Sequence, residues 1–361
     1  MTFTRNDTKV IKGMAIIFML YHHLFYFPDR IAEAIEYIPL LSYHGTSVAY
    51  YIGEFGKLCV ALFLFLGGYG TYYSCRKHTG DTKAVTRLAL QKTKNLYMEY
   101  WKVFVIFVPI CIYAGVERVD PDLKTMIWNF VGLSDSYCGE WWFFPVYVVL
   151  LLTYPIGHGL LSKKRSISKD ILVVLLLNLF ASYIIPNLYG YDWAKTLRKS
   201  MFWNTFSETL VYAPTFYMGC IFAKYDLLTA AKQRFASGIK YWVLACVAFL
   251  AAVILRHKEW ITYDFILAPI VTLSTIVILN GKLFRPVYWV LEKIGREGTI
   301  IWLVHSIYCY LLCQELVFRP RYTLLIFLWL LLMSYATSVA IRKLSEGYGF
   351  VKKKVRKLGR K

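Results

Sequence analysis

The sequence is poor in acidic residues: 22 Asp and Glu stand against 42 Lys and Arg, which gives a formal net charge of +20. Its 8 cysteines show no spacing typical of a zinc site or a disulfide framework. The basic residues are scattered over short segments between apolar runs, so nucleic acid is a poor candidate partner. We therefore expect no metal site and no nucleic-acid interface.

No part of the chain has the length and polarity of a soluble domain. The sequence is 58% hydrophobic and its mean hydropathy is +0.46, well above the values of soluble domains. The first apolar stretch has no small-residue cleavage site, so we expect it to be a retained signal-anchor helix. About ten stretches have the length needed to span a bilayer, near residues 10–27, 57–75, 100–116, 141–160, 170–187, 205–223, 238–255, 260–280, 299–317 and 323–341.

Lys and Arg concentrate in alternate connecting segments, and acidic residues lie in the others. This asymmetry follows the positive-inside rule and predicts that both termini are cytoplasmic. The predicted fold class is all-α: a polytopic helical membrane protein of about ten transmembrane helices, with anionic membrane lipids near its basic segments. We expect a transmembrane domain over residues 1–341 and a basic cytoplasmic tail over residues 342–361.

The first apolar stretch contains two adjacent histidines, His22 and His23, with Lys12 eleven residues before the second. On a helix, Lys12 and His23 lie within about 20° of the same face and roughly 16 Å apart along the axis. Ionisable groups at membrane depth usually face a bundle interior or a pathway. His23 can be a general base that takes a proton from a hydroxyl, or a hydrogen-bonded contact between helices. His22 points about 80° away, and we expect it to pack or to orient its neighbour.

A second membrane-depth histidine, His305, lies in the ninth stretch. It is roughly 13 Å of helix away from Arg296, which places it near the depth of His23. The two imidazoles can therefore share a cavity, although a buried and satisfied histidine is equally compatible with the pattern. Three further intramembrane acids have no assigned role: Glu208, Asp264 and Glu315.

One segment predicted to be cytoplasmic combines cations with aromatic side chains. Cations suit phosphate groups and rings can stack on adenine, so the segment is a candidate site for a phosphorylated, adenine-bearing ligand. The same composition is also typical of a positive-inside loop with an interfacial aromatic belt. The candidates are Arg76, Lys77, Arg87, Lys92, Tyr100 and Trp101.

A predicted outer loop ends with a carboxylate beside paired tryptophans: Glu140, Trp141 and Trp142. Such a group resembles carbohydrate sites, in which rings stack on sugar faces and acids accept hydroxyl hydrogen bonds. The interfacial aromatic belt explains the tryptophans equally well.

Several short motifs follow one another from the first predicted helix to the ninth, and together they resemble the acyltransferase 3 family of integral-membrane O-acyltransferases. The motifs are Lys12-x10-His23, Phe63–Tyr69, Glu99–Trp101, Trp142–Pro145 and Ile301–His305.

The resemblance implies a bundle of about ten helices that passes an acyl group, usually acetyl from cytoplasmic acetyl-CoA, to a glycan hydroxyl at the outer face. It implies that His23 is the catalytic base, and that basic residues after the second helix bind CoA, here Arg76, Lys77 and Arg87. The chain departs from the family pattern at three positions: it has Lys12 where Arg is more common, Gly67 where Ser is usual and Ala61 where Asp is frequent.

The predicted function is therefore transfer of an acyl group from acyl-CoA to a cell-envelope or exported polysaccharide, free or lipid-linked, at a bacterial inner or plasma membrane. The predicted catalytic set is Lys12, His22, His23 and His305. Direct transfer and a covalent acyl-enzyme both stay open. The alternatives are a proton-coupled transporter or flippase for a lipid-linked sugar, and the other class of membrane-bound O-acyltransferases.

Overall fold

The computed structural model describes residues 2–188, 191–197, 200–235, 238–257 and 261–358. About 81% of the protein is helical, as predicted for an all-α chain. The helices are α1 (Arg5–Phe25), α2 (Val48–Gly56), α3 (Leu58–Cys75), α4 (Thr82–Tyr113), α5 (Leu123–Phe130), α6 (Phe143–Leu161), α7 (Ile167–Leu179), α8 (Ile185–Leu188), α9 (Asp192–Leu197), α10 (Met201–Lys224), α11 (Leu227–Phe235), α12 (Ile239–His257), α13 (Asp264–Ile278), α14 (Arg285–Ser306), α15 (Gln314–Phe318) and α16 (Thr323–Leu358).

Shorter elements connect these helices. Two two-residue strands, β1 (Ser42–Tyr43) and β2 (Thr46–Ser47), pair antiparallel as a small hairpin. Single 3₁₀ turns cover Pro28–Arg30, Gly139–Trp142, Ile261–Tyr263 and Lys282–Phe284, and π-helical segments cover Phe180–Ile184 and Ile307–Leu312.

Within the described ranges, six helical segments are long and apolar enough to cross a membrane, or seven if α13 and the helix after it form one broken span. Helices α1 and α10 have 21 and 24 residues, so they have a spanning length, but both carry polar residues. The protein is thus a helical membrane protein, and the number of about ten spans stays a prediction.

The basic segment that we expected to be a loop is the first half of α4, which corrects the sequence-based boundary at residue 100. The Asp81 side chain caps the helix by accepting a 2.9 Å hydrogen bond from the Ala84 backbone N–H. The residues that follow are mostly good helix formers, so the helix begins at Thr82, 18 residues before the predicted boundary at residue 100. A hydropathy criterion ends a segment where charges begin, although the helix itself continues.

The ninth predicted span is also displaced. Helix α14 begins at Arg285, bent by 103° from α13, and gives way to π-helix after Ser306. His305 therefore stands in the last α-helical turn before the wider turns begin. Single π-helical insertions in α-helices occur frequently at functional sites.

The predicted boundary between membrane domain and tail falls inside α16, which continues past residue 342. Arg342 pairs with Glu297 of α14 at 2.9 Å, and Lys9 of α1 pairs with Glu292 of the same helix at 2.9 Å. The start of α1 and the second half of α16 thus lie at the same end of the bundle. Residues 359–361, and the side chains of residues 348–358, lie outside the described part of the tail.

Glycines bring α1 directly against α14. A Cβ atom on Gly295 would overlap the backbone carbonyl of Lys9, and one on Gly13 would overlap that of Leu291. Small residues allow membrane helices to approach this closely, so that van der Waals packing holds the pair together. This contact fixes the relative position of α1, which carries His23, and α14, which carries His305.

The same device joins α3 to α10. A Cβ on Gly68 would overlap the Phe216 carbonyl oxygen, and one on Gly219 would overlap the Phe65 carbonyl oxygen. Gly68 of the second apolar stretch therefore allows the close approach of α3 and α10.

Candidate active site

Two cavities meet inside the bundle. The narrow cavity has a volume of about 110 Å³ and is mainly apolar. The wide cavity has a volume of about 590 Å³ and is rich in charged side chains. The narrow cavity is lined by Lys12, Met19, His23, Cys59, Val60, Phe63, Gly67, Leu96, Glu140, Trp142, Phe143, Tyr147, Gly298, Thr299 and Trp302. The wide cavity is lined by His22, His23, Phe27, Arg30, Lys57, Cys59, Val60, Arg118, Gly139, Glu140, Trp142, Glu208, Tyr212 and Tyr310.

The two cavities share five lining residues: His23, Cys59, Val60, Glu140 and Trp142. Because these residues border both spaces, they mark the junction of one passage. Lys12 borders only the narrow cavity, so the passage runs from Lys12 past His23 into the wide cavity, as the shared helix face of Lys12 and His23 predicted.

A second imidazole packs against His23 at the junction: His305 is fully buried and lines neither cavity, so the two rings are in contact but do not share a cavity as we expected. The ring centroids of His23 and His305 are 4.9 Å apart, with 48° between the ring planes. The Nδ1 atom of His305 lies 2.6 Å from the Trp302 carbonyl oxygen. With Nδ1–H donating to that carbonyl, the Nε2 atom of His305 keeps its lone pair. The structure thus brings together the two histidines that sequence depth alone had paired.

Each imidazole also has a buried nitrogen with no hydrogen-bond partner in the described part of the chain: Nδ1 of His23 and Nε2 of His305. Buried polar atoms are nearly always paired, so such atoms need an explanation, and a reacting group is one. Because both atoms are buried, they are placed to hold or pass a proton within the histidine pair, whereas a bound hydroxyl would meet His23 from the cavity side.

Neighbouring side chains hold the imidazole of His23 in place. Its backbone carbonyl accepts a hydrogen bond from the Tyr310 hydroxyl. The His22 ring stands 5.1 Å from the His23 ring, and His22 Nδ1 lies 2.8 Å from the Gly53 carbonyl oxygen. His22 is therefore anchored to α2 beside the wide cavity, and its orienting role stays a prediction.

Lys12 lines the other end of the narrow cavity, and Lys92 of α4 lies near it. Lys12 and Lys92 are close enough for their charges to repel each other. The Nζ atom of Lys92 makes a long, 3.4 Å hydrogen bond to the Gly70 carbonyl oxygen. Across the described residues, neither ammonium group has a carboxylate within salt-bridge distance. Two half-buried cations without an acidic partner form a site suited to an anion.

The other basic candidates lie outside this cavity. Arg76 and Lys77 are exposed, and the Arg76 guanidinium sits 3.7 Å above the Tyr73 ring. Arg87 lies with Lys83 and Lys94 along a surface groove on α4. Of the cations predicted to bind the cofactor, only Lys92 is brought next to Lys12.

Tyr100 and Trp101 do not join the basic cluster, which corrects their expected position in a cytoplasmic loop. Tyr100 donates a 2.6 Å hydrogen bond to the Asn129 carbonyl and stacks on Phe144 at 4.3 Å. The Trp101 indole N–H donates to the Phe130 carbonyl at 2.9 Å, and its ring stacks on that residue. Both side chains therefore already contact other protein groups, and their hydrogen bonds connect α4 to α5.

Of the three residues predicted to form a carbohydrate site in an outer loop, one is buried in a helix contact and two line the cavities. Trp141 is buried, and its indole N–H donates to the Leu303 carbonyl at 3.0 Å, so it fixes the 3₁₀ turn against α14. Trp142 and Glu140 line both cavities. A 2.8 Å ion pair with Arg30 holds the Glu140 carboxylate in position.

Several lining residues were not predicted. The Tyr147 hydroxyl fills the space beside Gly67, only 2.6 Å from where a Cβ would stand, so glycine makes room for it in the narrow cavity. Tyr212 and Arg118 border the wide cavity, and Arg118 Nε donates to the Ser136 carbonyl at 2.8 Å. The sequence offers one signal for Tyr147, Tyr212 and Arg118, which is that each lies inside or near an apolar stretch.

The three unassigned acids have different surroundings. Glu208 lines the wide cavity. Asp264 forms a buried ion pair with Arg256 at 2.9 Å, so it serves the contact between α12 and α13. Glu315 is exposed on α15.

Cys138, which lines neither cavity, is not favoured as a nucleophile. The Cys138 sulfur, just before the span that starts at Gly139, lies 3.0 Å from the Ser306 hydroxyl. Burial is the main cause that raises the pKa of Cys138 well above its ordinary value, so the residue stays a thiol. In the described part of the chain, no three His, Cys, Asp or Glu side chains are grouped to hold a metal ion.

A family model described as an acyltransferase domain matches residues 6–343, nearly the whole chain. The chain belongs to the acyltransferase 3 family. The family resemblance drawn from the five motifs is thereby confirmed, and the protein is a membrane acyltransferase. No curated protein and no solved structure matches the chain.

Proposed function

We propose that this acyltransferase moves an acetyl group from acetyl-CoA to a hydroxyl of a cell-envelope or exported polysaccharide, at a bacterial inner or plasma membrane. The observation that carries the proposal is the continuous passage, with an anion site at one end and the histidine pair at its junction with the wide cavity. A family acyltransferase needs access for a donor and an acceptor, and the passage offers one route for each.

The lysine end suits the phosphates of CoA. Lys12 and His23 lie on one unbroken helix, α1, and are roughly 16 Å apart along its axis. A pantetheine arm, about the length of four extended residues, covers roughly 14 Å. Phosphates held near Lys12 and Lys92 would therefore place the thioester beside His23. The same separation favours phosphate binding by Lys12 over stabilisation of an oxyanion at the junction.

The wide cavity suits a sugar. Trp142 and Tyr212 form a pair of rings with centroids 5.5 Å apart on its wall, next to the fixed carboxylate of Glu140. Aromatic faces can stack on a pyranose ring, and charged groups can hydrogen-bond its hydroxyls. This arrangement supports a glycan acceptor.

In the proposed reaction, the acceptor hydroxyl oxygen attacks the thioester carbonyl carbon while His23 takes the hydroxyl proton. Collapse of the tetrahedral intermediate breaks the carbon–sulfur bond, and the proton passes to the leaving sulfur to give free CoA and an ester. The unpaired Nε2 of His305 is placed to share that proton. Direct transfer needs no further nucleophile, and the buried Cys138 thiol offers a poor one.

Acyl transfer can be measured with radiolabelled acetyl-CoA in membranes that contain the wild type or His23→Ala, by extracting and counting surface glycan. His78→Ala is the matched control because that histidine is exposed in a turn away from the passage. We expect label with the wild type and the control, and a loss of about 100-fold or more with His23→Ala at equal protein level.

Full labelling by His23→Ala would contradict the role of this residue as the base. If no variant labels glycan while glycan export depends on the protein, the transporter alternative replaces the proposal.

A further inference from the structure

A groove between α6, α7 and α10 takes no part in the passage. It has a volume of about 340 Å³, and most of its walls are apolar side chains such as Leu160, Val173 and Leu177. Ile156 and Val173 are exposed there. The groove runs along two candidate membrane spans, so membrane lipid has direct access to it.

One end of the groove carries a cation that has no acidic partner. Arg165 lines this end, and its guanidinium has no hydrogen-bond acceptor among the described side chains and backbone groups. The nearby Asp170 is already engaged, since its carboxylate accepts from Lys224 at 2.5 Å and from the Tyr225 hydroxyl at 2.9 Å. The Tyr225 hydroxyl also lies 2.9 Å from the Arg165 carbonyl oxygen, which fixes the backbone at that position.

A second polar group lies further along the groove. The Tyr217 hydroxyl projects over Gly157, where any larger residue would displace it, and it has no hydrogen-bond partner in the described residues. Gly157 lies four residues before the end of α6 at Leu161, about 6 Å along the axis. An unpaired hydroxyl in an apolar membrane groove is costly unless a ligand accepts its proton.

We infer that this groove binds an anionic glycerophospholipid of the membrane, with its phosphate on Arg165, an ester carbonyl accepting from Tyr217, and an acyl chain along the apolar wall. Charge complementarity selects the anionic headgroup, because a zwitterionic lipid would bring its own cation to Arg165. The inference goes beyond the proposed function and does not depend on it.

The groove also has a defined position relative to the passage. Tyr225 stands at the Arg165 end, and four residues later, at the start of α11, Thr229 accepts a 3.3 Å hydrogen bond from the Phe3 backbone N–H. The lipid headgroup thus lies at the same end of the bundle as the start of α1, in the leaflet nearest Lys12.

The test is lipid retention by the purified full-length protein in detergent, measured by native mass spectrometry after titration with phosphatidylglycerol or phosphatidylcholine. We expect the wild type to prefer phosphatidylglycerol and Arg165→Gln to bind it roughly tenfold more weakly. Tyr217→Phe should weaken binding of both lipids a few-fold, because it removes only the hydroxyl. Lys164→Gln is the matched control: it removes the same charge from an exposed neighbour and should change binding less than twofold.

The thermal unfolding of each variant without added lipid shows whether it is folded. Equal retention of phosphatidylglycerol by folded Arg165→Gln and the wild type would overturn the inference, as would an equal loss in Lys164→Gln. Soluble glycerol phosphate should not compete at concentrations at which phosphatidylglycerol does. If it competes equally well, the site takes a free anion and the lipid assignment is wrong.

Discussion

At the scale of single residues, the arrangement of His23 and His305 determines what the junction can do. Two imidazolium ions with ring centroids 4.9 Å apart would repel each other. In the described residues, no carboxylate forms an ion pair with either ring. The pair therefore holds one proton more easily than two. A site of this kind can take a proton from an acceptor hydroxyl and return it to a leaving thiolate without a change in total charge.

Replacing His305 with glutamine tests its share in that proton transfer. Glutamine keeps hydrogen-bonding groups near the Trp302 carbonyl but cannot be protonated at neutral pH, so we expect kcat to fall about 100-fold with little change in the KM for acetyl-CoA. Steady-state kinetics in membranes measure both values. The matched control is His158→Gln, a buried histidine that contacts Tyr154 outside the passage. Equal rates in His305→Gln and the control would remove His305 from the mechanism.

The lysines at the other end of the passage should affect donor binding instead. Removing one charged hydrogen-bonding partner costs about 1.5–3 kcal/mol, so Lys12→Gln and Lys92→Gln should each raise the KM for acetyl-CoA about 10- to 100-fold. Lys94→Gln changes an exposed lysine two residues further along α4 and should leave KM unchanged. A lower kcat with unaltered KM in Lys12→Gln would instead place Lys12 at the reacting carbonyl.

At the scale of helices, periodicity and depth predicted some of the site and missed the rest. The pairing of His23 with His305 could be predicted because each sits on an apolar helix, where residue number translates into depth. Tyr100 and Trp101 could not be placed correctly, since their hydrogen-bond acceptors belong to α5, which is separate in sequence from α4.

The start of α4 shows a second limit of the sequence. Once α4 is known to begin at Thr82, helical phase separates Lys92 from Arg87 by about 140°, which agrees with Lys92 donating to the Gly70 carbonyl of α3 while Arg87 lines the surface groove. Hydropathy alone could not supply that phase, because it placed the start of the helix at the first apolar residues and left the basic residues before them in a loop.

Stability should depend on the glycine contact between α1 and α14. A methyl group at Gly295 would overlap the Lys9 carbonyl, so Gly295→Ala must separate the helices and should cost about 1–3 kcal/mol. Gly159→Ala is the matched control, since a Cβ there meets nothing within 4 Å and alanine favours helix by about 0.5–1 kcal/mol. Thermal unfolding in detergent should show a lower midpoint for the first variant and an equal or higher one for the second. A Gly295→Ala protein as stable as the wild type would show that α1 and α14 do not need this approach.

At the scale of the whole molecule, the bundle provides two different environments on either side of one histidine pair. The narrow cavity is mainly apolar and ends at Lys12, with Lys92 nearby, whereas the wide cavity is rich in charged side chains. The beginning of α1 and the second half of α16 lie at the lysine end. If the positive-inside prediction holds, that end faces the cytoplasm, where acyl-CoA is made, and the wide cavity faces the glycan.

Sealed vesicles of opposite orientation test this arrangement directly. Acetyl-CoA is charged and does not cross a bilayer, so acetylation from added donor requires that the lysine end face the added solution. We expect inverted vesicles to transfer label to enclosed glycan at a rate at least tenfold above that of right-side-out vesicles. Detergent permeabilisation should raise the rate of the right-side-out vesicles to that of the inverted ones, and Lys12→Gln should slow both preparations equally at limiting donor. Equal transfer by intact vesicles of both orientations would contradict a one-sided donor entrance, even if His23 proved essential.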